Sequence, residues 1–156
     1  MISKTEKQFL FEVELNRIAK NNGVLSARDA EGCVYVSTAK VFGGKERSWS
    51  PEHLFLGSIS SCFMNTFLSF AESEQLPVST FACEIIGRID FYDGRFRFSG
   101  IDLYPTITVP AKQFHQQAMD LLEKARQYAT ITGSMTAPVL YHYSILTEME
   151  TISNKS

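Results

Sequence analysis

Phe9, Phe11, Val13 and Leu15 alternate with Leu10, Glu12 and Glu14. That period of two predicts a half-buried strand over residues 9–15. Asn21-Asn22-Gly23 then offers side chains that tolerate positive φ, so a turn there returns residues 24–27 as a hairpin partner. A third strand over residues 33–37 follows the turn at Asp29-Ala30-Glu31-Gly32.

The periodicity changes after residue 50. Residues 42–47 have none and read as a loop, while Ser50-Pro51 pairs an N-cap residue with a proline suited to the first helical position. From residue 54 to 70 the run is apolar almost all round, the pattern of a helix buried in a core or in lipid. Gly57, Ser58, Ser60, Ser61 and Asn65 interrupt it and favour a protein core over a membrane span. Residues 80–91 and 95–109 are rich in β-formers around Asp93-Gly94, the signal of a tight hairpin. In residues 111–128, Phe114, Ala118, Leu121, Leu122 and Ala125 recur at three and four against Lys112, Gln116, Asp120 and Lys124, which predicts an amphipathic helix. A break at Thr132-Gly133-Ser134 leads to a last strand over residues 139–148 and a flexible tail over residues 151–156. The predicted order is βββαββαβ, an α+β fold of mainly antiparallel sheet with a buried central helix and a second amphipathic helix.

The chain has 156 residues, 44% of them hydrophobic, enough for one domain with a core, taken as residues 1–150. A formal charge of -2 and a pI near 5.9 supply no basic face for nucleic acid or for an anionic membrane. The N-terminal stretch, with Lys4, Glu6 and Lys7 ahead of its apolar residues, lacks the apolar run of a secretory signal, so a cytoplasmic location is expected.

Cys33, Cys62 and Cys83 are odd in number, widely spaced and without a CxxC pair, which fits neither a disulfide framework nor a zinc site. His53, His115 and His142 fall on three separate elements with no carboxylate or cysteine at ligand spacing, so neither a metal nor another cofactor is expected. Gly43-Gly44-Lys45 lacks the first glycine and the context of a phosphate loop.

Cys62 stands about three turns into its helix, beyond the reach of the helix dipole, so a reactive thiol there needs a nearby cation. The other reading is a small, inert, buried residue. Glu52 precedes it by ten residues, about 15 Å of helical rise and roughly 80° off the same face. If the two share a site, Glu52 comes from a second chain and the protein is a homodimer; otherwise Glu52 simply favours the helix dipole.

Phe42-Gly43-Gly44, Trp49-Ser50-Pro51-Glu52-His53-Leu54 and Ser61-Cys62-Phe63, with the order of elements, give the chain a resemblance to the OsmC/Ohr family of osmotically inducible and organic hydroperoxide resistance proteins. The resemblance implies an intertwined homodimer with interfacial sites. In that family a peroxidatic cysteine becomes a sulfenic acid and is resolved by a second cysteine, while an arginine held by a glutamate activates the thiol. Cys62 would then be the nucleophile and Glu52 the orienting acid.

Two parts of the pattern are absent. Ala129 occupies the place of the second cysteine and Asn21 that of the arginine, leaving Lys20 one residue away as a cation candidate, with Arg47, Arg17 and Arg28 as others that could reach in from elsewhere in the chain. Cys83 could substitute as a resolving thiol, but its place on one face of its strand with Phe81 and Ile85 favours core filler, and Cys33 has less claim still. The expected function is a one-cysteine hydroperoxide reductase or redox-sensitive thiol protein recycled by an external thiol. The alternative is a non-catalytic dimer holding an apolar small molecule in an interface cavity lined by Phe55, Phe63 and Phe67.

Overall fold

The computed structural model describes residues 7–44 and 46–153, with side chains up to residue 150. Residues 1–6, Lys45 of the glycine loop and residues 154–156, which the N-terminal, phosphate-loop and tail readings included, lie outside the described residues. The chain forms two compact units, one ending at Leu54 and the other beginning at Phe55.

The first unit holds β1 (Glu14–Ala19), β2 (Asn22–Ser26) and β3 (Val34–Ser37) in an antiparallel sheet of that order. The first strand is displaced from its expected position: residues 9–13 carry no strand and β1 starts at Glu14, which pairs with Ser26. β2 ends there, so among the described residues the ladder does not extend ahead of Glu14. The turn also falls earlier, at Lys20, whose φ of 46° is left-handed and whose carbonyl accepts a 2.8 Å bond from Arg17 Nε. The two loop glycines serve different needs. Gly43 has a φ of 82°, whereas a Cβ on Gly44 would stand 1.5 Å from the Thr38 carbonyl oxygen, so only glycine lets the backbones approach.

Helix α1 (Pro51–Ser73) begins where Ser50-Pro51 predicts. The Ser50 N–H donates to His53 Nδ1 at 3.2 Å while the His53 N–H reaches back to Ser50 Oγ at 3.5 Å. This is a reciprocal cap in which histidine takes the usual place of glutamate.

In the second unit, β4 (Thr80–Tyr92) and β5 (Arg95–Val109) form a long antiparallel hairpin. Asp93 and Gly94, at φ 53° and 74°, make the tight turn their pairing predicts. Ile59, Phe63, Phe67 and Ala71 recur every fourth residue of α1, all buried. They share one core with Ala118, Leu121, Leu122 and Ala125 of α2 (His115–Tyr128) and with Ile101, Leu103, Ile107 and Val109 of β5. α1 is long and apolar enough to cross a membrane; within this fold its apolar stripe is occupied by that core.

The last strand differs from expectation. After α2 and the short α3 (Thr130–Gly133), residues 139–148 form two strands, β6 (Val139–Tyr141) and β7 (Ser144–Thr147), and both run parallel to β5. The helical crossover returns the chain to the sheet in the same direction, which a hairpin cannot do. The sheets are otherwise antiparallel, so the mixed α/β fold with mainly antiparallel sheet stands. Finally α4 (Glu148–Ser153) extends helix into the expected tail, capped by Thr147, whose N–H donates to Glu150 Oε2 at 2.8 Å.

Candidate functional site

Cys62 is half-buried on α1, next to the wholly buried Phe63. Its thiol and the Tyr141 hydroxyl at the end of β6 are near enough to interact electrostatically. Tyr141 also hydrogen-bonds to the Thr132 hydroxyl of α3, and its ring packs 5.5 Å from that of Phe63, centre to centre. Over the Tyr141 ring lies Arg126 of α2, its guanidinium carbon 5.1 Å from the centroid. Arg126 Nη1 is 3.6 Å from Glu123 Oε2 one turn earlier, and Glu123 also hydrogen-bonds Tyr143, which stacks on Phe63. A thiol, two phenols, a carboxylate and a guanidinium thus converge within the second unit.

Burial is the largest influence on both phenols and pushes them above the ordinary tyrosine value. At Tyr141 the Thr132 hydrogen bond and the Arg126 charge pull the other way, while the Cys62 and Glu123 charges add to the rise. Tyr141 is therefore a neutral O–H donor at physiological pH, beside a thiol.

Ala129, where the resemblance places a second thiol, joins α2 to α3 and is 3% exposed. Its methyl offers no redox chemistry, and its carbonyl accepts the Thr132 hydroxyl at 3.1 Å. Cys83 on the inner face of β4 does not stand in for it, since burial pushes that thiol up to about 11. Cys33 is exposed, at the start of β3 in the first unit.

Glu52 opens α1 in the first unit and lines a cavity of about 400 Å³ together with Arg17, Lys20, Asn21 and Asn22. Its Oε2 is buried and makes no hydrogen bond among the described residues. Lys20 thus shares a cavity with Glu52, as does Asn21 in the arginine's place. Arg47 instead lines a separate cleft with Cys33 and Trp49. Of the three phenylalanines assigned to a pocket, Phe63 and Phe67 are wholly committed to the core, and Phe55 is partly buried against Phe98, 4.8 Å between ring centres.

Tyr141, Arg126, Glu123, Thr132 and Tyr143 were not singled out from the sequence. Two weak signals were available: Tyr141 and Tyr143 share a face at a period of two, and Glu123, Arg126 and Ala129 recur every third residue into the segment of the absent cysteine.

The sequence model described as OsmC-like protein matches residues 43–142. No curated protein matches the chain in sequence. Among solved structures, an OsmC-like protein of unknown function from Vibrio cholerae superposes with a TM-score of 0.78 at 17% identity, over 87% of this chain and 99% of its own. An organic hydroperoxide resistance protein from Elizabethkingia anophelis, with crystallant-derived thiocyanate bound, gives 0.71 at 18% identity over 92% and 100%. One from Legionella pneumophila gives 0.70 at 16% over 90% and 99%.

Proposed function

We propose, for a chain that belongs to the OsmC-like family, the activity of a one-cysteine organic hydroperoxide reductase in which Cys62 is the nucleophile. The observation that carries this reading is the setting of Cys62: a half-buried thiol within electrostatic reach of a neutral phenol that itself lies under a guanidinium, with an alanine where the resemblance puts a resolving thiol. The Cys62 thiolate attacks the terminal oxygen of the hydroperoxide. The S–O bond forms as the O–O bond breaks, giving a sulfenic acid and an alcohol after protonation. With Ala129 at the second position, an external thiol condenses with the sulfenic acid, releasing water. A second external thiol then displaces Cys62 as thiol and leaves the external pair as a disulfide.

The active form in this proposal is a homodimer. Glu52 is ten residues of continuous helix from Cys62, so its carboxylate serves a Cys62 of the other subunit. Its buried Oε2, without a hydrogen bond among the described residues, supports that role, since such an oxygen is costly to leave unpaired, and Arg17 and Lys20 line the same cavity. Apolar side chains exposed on the first unit, Leu15 at 61%, Tyr35 at 65% and Trp49 at 57%, also suit burial by a second copy.

Turnover is tested by following cumene hydroperoxide consumption with dithiothreitol as the reductant. Catalytic consumption that disappears in Cys62→Ser supports the proposal; consumption equal in the two proteins refutes it.

A further inference from the structure

Thiolate attack on a hydroperoxide expels an alkoxide, a strong base that a half-buried site must protonate. The Cys62 proton is already gone when the thiolate forms, and Arg126 has no proton to give at any accessible pH. Two phenols stand near. Tyr143 is engaged by the Glu123 carboxylate, with the Leu122 carbonyl also 3.5 Å from its oxygen. Tyr141 packs its ring 5.5 Å from that of Phe63, the residue next to Cys62, lies within electrostatic reach of Cys62, and hydrogen-bonds the Thr132 hydroxyl.

We propose that Tyr141 is the proton donor of the Cys62 site, delivering its phenolic proton to the alkoxide oxygen that leaves when the thiolate opens an organic hydroperoxide. The proposal rests on the hydroperoxide reading of Cys62. In the step, sulfur gives an electron pair to the terminal peroxide oxygen, the O–O pair departs on the alkoxide oxygen, and the Tyr141 proton converts it to alcohol. The products are the Cys62 sulfenic acid, the alcohol and a Tyr141 phenolate, which recovers its proton from solvent.

The surroundings fit this cycle at both ends. Burial keeps Tyr141 protonated before the step. After it, Arg126 over the ring stabilises the phenolate, and Thr132 turns its O–H from the Ala129 carbonyl, 3.1 Å away, to the phenolate oxygen. Glu123 holds the guanidinium in that place from one turn away.

The test compares wild type with Tyr141→Phe against three reagents that react with Cys62 and differ in leaving group. With cumene hydroperoxide, whose alkoxide needs a proton, the rate constant for Cys62 oxidation is expected to fall about 100-fold; with peracetic acid and iodoacetamide, whose acetate and iodide need none, it stays within about threefold. Thr132→Val, which keeps the phenol and removes its partner, lowers the cumene hydroperoxide rate with the same selectivity and serves if Tyr141→Phe folds poorly. An equal loss for all three reagents, or no loss with cumene hydroperoxide, overturns the role of Tyr141 alone. Wild-type Cys62 that is alkylated normally but inert to cumene hydroperoxide overturns the hydroperoxide reading and this role with it.

Discussion

The Arg126 guanidinium lies over the Tyr141 ring, 5.1 Å from its centre, and so brings a fixed positive charge to the phenol that neighbours Cys62. The resemblance to OsmC and Ohr proteins calls for a cation near the thiol, and the sequence has Asn21 in the expected place. Arg126 on α2 of the second unit, three residues ahead of Ala129, brings a cation to Tyr141 instead.

That alanine gives the first prediction. Ala129→Cys places a thiol at a buried junction between α2 and α3 that alanine already fills. Treated with one equivalent of cumene hydroperoxide, the variant is expected to form a disulfide between Cys62 and the new cysteine, visible by peptide mass spectrometry after digestion without reductant. Accumulation of Cys62 sulfenic acid with the new thiol left free would contradict the alignment of the two segments.

Acid sensitivity centres on Asp102. It accepts from His142 Nε2 at 2.8 Å and pairs with Arg88, and these bonds, His142 first, hold its carboxyl below the ordinary aspartate value. A carboxyl lowered on folding stabilises the native state fully above its unfolded pKa. That stability declines as pH falls below the unfolded value and is gone below the folded one. Urea midpoints of wild type should therefore drop on acidification through the carboxylate range, while Asp102→Asn starts lower at neutral pH and shows a shallower acid limb. Parallel limbs in the two proteins would remove Asp102 from the account.

The three cysteines should separate by reactivity. Burial pushes the Cys83 thiol up to about 11, which lowers its thiolate fraction near neutral pH about 100-fold. Exposed Cys33 should be labelled early by iodoacetamide, and Cys83 last. The same shift makes a stability statement: a thiol raised on folding contributes fully below its unfolded value near 9 and loses that contribution as pH rises toward 11. Cys83→Ala should flatten the stability decline across that alkaline window. Labelling of Cys83 as fast as Cys33 in the folded protein would contradict its burial.

Local signals carried most of the fold. Ser50-Pro51 marks the start of α1, Asp93-Gly94 makes the β4–β5 turn, and the three-and-four spacing of Ala118, Leu121, Leu122 and Ala125 gives the buried face of α2. Where the outcome depends on a distant partner the signal fails. The alternation of residues 9–15 is real, yet β2 ends at Ser26 and residues 9–13 carry no strand among the described residues. The parallel sense of β6 and β7 is set by a crossover, which the composition of residues 139–148 does not encode. The site divides the same way. Cys62 and Glu52 belong to contiguous motifs and stand out, whereas Tyr141 comes near Cys62, and Arg126 and Thr132 near Tyr141, only when separate elements pack.

Whether Cys62 is a hydroperoxide-reactive thiol is decided by a single-turnover oxidation of the reduced native protein. Cumene hydroperoxide is added at one equivalent, the reaction is quenched at intervals with a sulfenic-acid trapping reagent, and occupancy at Cys33, Cys62 and Cys83 is read by mass spectrometry. Trapped sulfenic acid is expected at Cys62, forming far faster than oxidation of free cysteine under the same conditions, with Cys33 and Cys83 lagging. Oxidation of Cys62 no faster than free cysteine, or first oxidation at Cys33, would contradict that reactivity.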